Sequence, residues 1–348
     1  MSESDRSGSQ AGPGEAFRLL GLVNSHWMAA TIFAAADLGI ADLLVEGPRS
    51  SRELADMIGA HEPFLRRLLV ALSTLDVCEA RDDDTFALGP LGEVLRSDSP
   101  VSVRSWALYS GGDMWSIWGH LAEAVRTGRS GREIESGHRG FEFTDANPDS
   151  ARRFHQGMVE LTRLTTPGIV AAYPFSGCRR VVDVGGGYGE LLTAILGAHP
   201  SLTGILFDTP NLIDEARAHV ARTGVGDRCE LVGGSFFESV PAGEDLYMLK
   251  SVIHDWDDER SREILRTCTE SMRDDSRLLV IERIRPVQID NSPASQGVAA
   301  ADLTMLVALA AQERTESEFR DLLASAGLHV QAVIPTAGVF SVIEASKG

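Results

Sequence analysis

The sequence predicts an α/β protein. A Rossmann-like, doubly wound, mostly parallel sheet fills the C-terminal half, and a mainly α, winged-helix-like domain precedes it. Three observations carry the prediction. After Arg180, short apolar runs of strand length alternate with helical stretches, the pattern of a parallel sheet covered on both faces. The first run, Val181 to Val184, enters a turn with Gly185, Gly187 and Gly189 and then a helical stretch, so the turn stands at a strand's carboxyl end and a helix's N-terminus. Before residue 100, apolar residues recur at helical spacing and give way to a hairpin signature.

With 348 residues the chain exceeds the usual single-domain size, and 43% apolar content is enough for a real core. Residues 1–14 are Ser- and Gly-rich and lack both a basic start and an apolar centre, so they read as a disordered tail and not as a signal peptide. Residues 15–100 read as a winged-helix-like dimerisation domain. Phe17, Leu20, Val23, Trp27 and Phe33 lie along one wide helical face that needs a partner. Ser50 and Glu53 form a capping-box pattern for a helix that stops at Gly59, and Pro63 opens another through Leu75. Strands at 77–80 and 85–88 flank Asp82, Asp83 and Asp84 as the wing. Those aspartates would meet phosphates with the wrong sign, despite Arg66 and Arg67 on the second helix, so the module is read as a subunit contact.

Residues 101–175 read as a helical linker with pocket helices. Trp106, Tyr109, Met114, Trp115 and Trp118 recur at helical spacing, broken by Gly111 and Gly112. Most suit core packing, and Trp115 is the candidate wall for a flat apolar substrate. Residues 130–142 read as a polar loop, and Asn147 with Pro148 opens a helix ending near Tyr173. In the last domain, 176–348, strands are expected at 181–184, 203–207, 229–232, 245–250, 277–283, 328–334 and 339–345. The last two adjoin without a helix, so one runs antiparallel. Thr315 and Glu318 form a second capping box for a helix reaching Ala326, which Gly327 stops.

A net charge of −18 disfavours nucleic acid or an anionic membrane as a partner. Four widely spaced cysteines without a C-x-x-C pair point to reduced thiols in the cytoplasm and imply no metal site. No apolar run is read as approaching the roughly 20 residues of a membrane span.

The glycine turn does not fit a dinucleotide fingerprint: frames starting at Gly185 and Gly187 end on Glu190 and Leu192. A hydride-transfer cofactor is therefore disfavoured. Strand ends bring together the turn, Asp208, Ser235-Phe236, His254-Asp255-Trp256 and Glu282, with Lys250 nearby.

Asp183-Val-Gly-Gly-Gly-Tyr-Gly189 followed by Asp208 resembles motif I of class I S-adenosylmethionine-dependent methyltransferases. Lys250 through Trp256, Ile281-Glu-Arg-Ile-Arg-Pro286, and Asp302-Leu-Thr-Met305 through Gln312-Glu-Arg-Thr315 look like the caffeate, flavonoid and acetylserotonin O-methyltransferases of plants and their bacterial natural-product tailoring relatives. The resemblance spans nearly the whole chain. It implies S-adenosylmethionine as cofactor, S-adenosylhomocysteine as product, no metal, a homodimer and a small hydroxylated aromatic substrate. It also implies cofactor contacts from Asp183, Gly185, Gly187, Asp208, Phe236, Lys250, Trp256, Met158 and Thr162. Substrate contacts are implied for Asp255, Asp302 and Met305. His254 matches the general base, flanked by Glu282 and Glu313. The reaction needs such a base, because a phenol with a pKa of about 10 is a poor nucleophile at neutral pH. One position departs from the family: Ser235 stands where an aspartate usually meets the adenine amino group, and its hydroxyl accepts without charge. Two rival readings are a cofactor-binding hydroxylase or decarboxylase that transfers no methyl, and a non-catalytic winged-helix regulator.

Overall fold

A computed structural model describes residues 12–348, which form two compact units, one ending at Gly112 and the other covering Asp113–Gly348. The division falls inside the stretch 101–175 read as a linker. Residues 1–11 of the expected tail lie outside the described residues, and its last two belong to the first helix, Pro13–Asn24.

In the first unit, Pro13–Asn24 and His26–Asp37 run almost without interruption. Together they are 25 residues long and apolar enough to cross a membrane, by length and composition alone. The expectation that no such run exists is thus corrected: the interspersed Ser25, His26 and Arg18 disguise its continuity in the sequence. No residue of Pro13–Asn24 is buried, and Phe17, Leu19 and Leu22 are all more than 60% exposed. The capping box at Ser50 is present, with Ser50 Oγ accepting from the Glu53 N–H, and opens Ser51–Ile58; Gly59 ends it in the left-handed conformation. Glu62–Ser73 follows, and strands β1 (Arg49–Ser50), β2 (Cys78–Ala80) and β3 (Thr85–Leu88) pair antiparallel in the order β1-β3-β2. Leu54, Leu69, Leu72 and Phe86 fill the core beneath them. Arg66 pairs with Asp84 of the wing tip, so this cation of the second helix is already engaged.

The second unit is built on a seven-stranded sheet: β4 (Arg180–Val184), β5 (Thr203–Asp208), β6 (Cys229–Gly233), β7 (Leu246–Lys250), β8 (Arg277–Glu282), β9 (Leu328–Pro335) and β10 (Ser341–Lys347). The order is β6-β5-β4-β7-β8-β10-β9, parallel from β6 to β8, with β10 antiparallel to both of its neighbours. Register places Val182 beside Ile205 and Asp183 beside Met248. Leu246 to Leu249 are fully buried, because helices cover both sheet faces and such strands must be apolar throughout. The helices Pro148–Ala172, Glu190–Ala198 and Pro210–Ala221 pack on one face around Ile169, Leu192 and Ala216. Asp258–Ser271 and Glu316–Ser325 pack on the other around Leu265 and Phe319.

Residues 130–142, expected as a loop, contain the helix Gly131–Ser136, capped by Ser130 Oγ accepting from the Glu133 N–H. A Cβ on Gly131 would stand 2.4 Å from the Ile117 carbonyl oxygen, so glycine is needed there for packing and not for flexibility. The strand order reverses between β4 and β7, the position at which open α/β sheets hold ligands beyond their strand ends.

Candidate active site

A cavity of about 310 Å³ opens at that reversal. Its floor is the glycine turn. Gly185 and Gly187 have positive φ, and Gly187 faces open space where a Cβ would meet nothing within 4 Å. Gly186 is tighter: a Cβ there would press on Asp183 and Leu206. Asp208, at the end of β5, latches the turn, since its carboxylate accepts from the Gly187 N–H at 2.9 Å and the Thr209 N–H at 2.7 Å. Burial raises its pKa, although both N–H groups pull the other way.

Asp183 is buried, and its Oδ2 has no hydrogen-bond partner. Burial first, then the neighbouring Asp208, pushes its carboxyl up to about 7. Lys250, at the end of β7, donates to Thr162 Oγ1 at 2.9 Å, and burial lowers its ammonium to about 8. Thr162 and Met158 line the wall from Pro148–Ala172, joined by Phe154 and His155 on the same helix. The far end is aromatic: Phe236, Phe237 and Phe141 surround Trp256, with ring centroids 6.1, 4.8 and 5.8 Å away. Arg260 stacks on Phe237 at 3.5 Å. Ser235 Oγ lies there too and accepts from the Phe237 N–H at 3.3 Å. The lining carries Asp145, Asp183, Glu190, Asp208 and Asp255 against Lys250 as its one lysine or arginine. A ligand with cationic groups and an adenine-like ring fits this charge and shape. The open space above Gly187 leaves room for a bound S-adenosylmethionine to approach the backbone.

His254 follows β7 on a turn whose Ser251 has a φ of 55°, an uncommon conformation for a residue other than glycine. Glu282 Oε1 accepts from three successive backbone N–H groups, those of Val252, Ile253 and His254, at 3.0–3.3 Å. The buried Arg314 donates to the carbonyls of Ile253 and Trp256 at 2.9 and 2.8 Å, clamping the turn from its other side. The imidazole is buried among acids. Its Nδ1 lies 3.1 Å from Glu313 Oε1 and 3.6 Å from Glu282 Oε2, and its Nε2 lies 3.4 Å from Asp255 Oδ1. Desolvation lowers the pKa of His254, but Glu282, Asp255 and Glu313 outweigh it and raise the ring to about 9. Asp255 is itself pushed up to about 7, by burial most of all. The two titrate as a coupled pair.

All ten residues proposed for the cofactor line the cavity, and Asp255 lines it as well. His254 stands behind Asp255. Asp302 holds the Glu313 N–H at 2.8 Å and lines a second cavity of about 550 Å³ together with Glu313, Arg285 and Leu306. Trp115, 43% exposed, and the half-buried Met305 line neither cavity. Sequence reasoning missed His155, Tyr188 and Arg314. The first falls on the i, i+3 face that also presents Met158, the second sits inside the glycine turn itself, and the third was overlooked beside Glu313.

Residues 118–329 match the family described as the O-methyltransferase domain, and residues 20–98 match the O-methyltransferase dimerisation domain. The chain is 39% identical to a phenazine O-methyltransferase of Lysobacter antibioticus over 99% of both chains. The structure resembles the crystal structure of LaPhzM with a TM-score of 0.92 at 38% identity, covering 96% of this chain and 99% of that one. It also resembles human N-acetylserotonin methyltransferase in complex with S-adenosylmethionine, with a TM-score of 0.88 at 27% identity over the whole of both chains. A phenazine-1-carboxylate N-methyltransferase of Pseudomonas aeruginosa is 33% identical over 91% of this chain and 92% of its own length. The chain therefore belongs to the O-methyltransferase family, with that family's methyltransferase domain following its dimerisation domain in sequence.

Proposed function

We propose that this enzyme methylates a phenolic hydroxyl of an aromatic natural product, using S-adenosylmethionine, and works as a cytoplasmic homodimer. Asp208 receives the ribose hydroxyls, Phe236 and Trp256 hold the adenine, and the acidic lining near Asp183 takes the cationic end. Once bound, the cofactor supplies an electrophilic methyl group on a sulfonium. Lys250, Met158 and Thr162 shape the wall beside that end, while Ser235 meets the adenine edge.

His254 takes the hydroxyl proton on Nε2, the nitrogen that faces Asp255 of the cavity lining. Glu313, 3.1 Å from Nδ1, fixes the tautomer by accepting that N–H, and Glu282 adds charge that stabilises the imidazolium. Asp255 gives way to the acceptor or orients it, and Asp302 sets Glu313 in place. The single observation carrying the reading is this imidazole, held by carboxylates at Nδ1 and set by Nε2 against Asp255, which lines the cavity. Relatives that methylate aromatic compounds support the substrate class. The matched dimerisation domain, which takes in residues 20–24 of the exposed apolar helix, supports subunit contact as the task of that face.

His254→Ala should retain S-adenosylmethionine binding in calorimetry and lose about 10²–10⁴-fold in methyl transfer, the usual worth of a general base. Unchanged turnover would remove His254 from the mechanism. The N-methyltransferase relative favours one alternative, transfer to a ring nitrogen, which needs no base. Product mass spectrometry across a panel of hydroxylated and nitrogen-containing aromatics separates the two.

A further inference from the structure

The His254 cluster has a second capacity that proton transfer does not use. Glu282 spends one carboxylate oxygen on three backbone N–H groups, so its side chain cannot swing away. Its other oxygen, Oε2, is buried, has no hydrogen-bond partner, and is the atom that faces His254 Nδ1. Glu313 likewise keeps Oε2 buried and unpartnered while Oε1 approaches Nδ1. Two buried carboxylate oxygens without a hydrogen-bond partner beside one imidazole are costly.

The separations from Nδ1 are those of ligands around a small cation. The ligating atoms of His254, Glu282 and Glu313 lie within 4.8 Å of one another. Nitrogen and oxygen ligands about 2.1 Å from a tetrahedral zinc ion stand roughly 3.4 Å apart. The two separations from Nδ1, 3.1 and 3.6 Å, bracket that value. Charge favours a cation as well: Glu282, Glu313 and Asp255 crowd the ring, and the guanidinium paired with the Glu313 carboxylate, that of Arg283, stays 3.8 Å away, while Arg285 reaches only the Glu313 backbone carbonyl. The three N–H groups on Glu282 and the Asp302 contact to the Glu313 backbone supply the outer support that fixes metal ligands.

We propose that His254 Nδ1, Glu282 Oε2 and one oxygen of Glu313 form a binding site for a divalent cation of the zinc class, whose occupation silences methyl transfer. The ion takes the Nδ1 lone pair and displaces that nitrogen's proton to solvent, so the ring binds as a neutral imidazole whose remaining proton sits on Nε2, which then has no lone pair to accept the hydroxyl proton. The cation is an inhibitor and not a cofactor. Only the silencing rests on the proposed role of His254; the binding does not.

The test uses the tag-free full-length chain titrated with Zn²⁺ by calorimetry and with Co²⁺ by absorption. One saturable ion per chain is expected, without a thiolate charge-transfer band, which excludes the four cysteines as ligands. Glu282→Gln preserves an acceptor for the three N–H groups, and Glu313→Gln leaves them untouched. Each should lower Zn²⁺ affinity about 10–100-fold or more, the cost of losing even an outer-shell partner. S-adenosylmethionine binding should persist in both variants as the control for folding. In the wild-type enzyme, transfer should stop at one Zn²⁺ per chain and return with chelator. Absence of saturable binding, a thiolate band, or unchanged affinity in either variant overturns the site. Stoichiometric binding without loss of transfer overturns the silencing, and the His254→Ala assay separately tests the base itself.

Discussion

His254 shows how a residue's surroundings decide its chemistry. A free imidazole titrates near 6.5, but three acids hold this one protonated to about 9. Because His254 must lose that proton before it can act as the proposed base, kcat/KM should climb with pH and level off near 9, and the His254→Gln variant should lack this limb; a flat profile between pH 6 and 8 would contradict the assignment. The same shift bears on stability. A pKa raised on folding stabilises the protein fully below pH 6.5, and the contribution disappears as the pH rises through 9. At the proposed adenine end, Ser235 Oγ accepts from the Phe237 N–H and offers no charge. Ser235→Asp should therefore tighten S-adenosylmethionine binding, a charged acceptor being worth roughly 1.5–3 kcal/mol against about 1 for a neutral one. Equal or weaker binding in calorimetry, with the fold intact, would place the adenine elsewhere.

Among the elements, the glycine turn separates space from strain. Gly187 has room for a methyl group but a φ of 60°, so Gly187→Ala should cost about 1–2 kcal/mol of stability. The added methyl occupies the cavity floor, so cofactor affinity should fall by much more than stability does, as thermal melts with and without S-adenosylmethionine would show. Elements with local signals were legible in the sequence: the capping boxes at Ser50 and Thr315, the β-branched run at Val181 and the strand ends that carry Asp208 and His254. What escaped was either masked or non-local. Ser130 and Glu133 carry a helix-start signature, but the helix is six residues long and lies between glycines. The bond from Lys250 to Thr162 joins residues 88 apart, and Arg314 reaches back to Ile253, contacts that no periodicity encodes. Trp115 and Met305 were placed by composition and motif alone, and neither property fixes where a side chain points.

For the whole molecule, the exposed apolar stripe of Pro13–Asn24 is the feature that a single chain leaves unexplained. Phe17, at 74% exposure, and Leu22, at 65%, have no buried partner on their own helix. Large apolar patches of this kind mark association surfaces. Phe17→Asp with Leu22→Asp should convert the dimer to monomer in analytical ultracentrifugation. A variant that remained dimeric would move the interface to another part of the first unit.

The latch between Asp208 and the Gly187 amide makes one carboxylate serve two masters. A ligand that hydrogen-bonds to Asp208 competes or cooperates with the clasp that shapes its own seat, so recognition and local rigidity cannot be altered independently at this position. Evolution of donor preference in this enzyme should therefore proceed around Asp208, through residues such as Ser235, and leave the clasp alone.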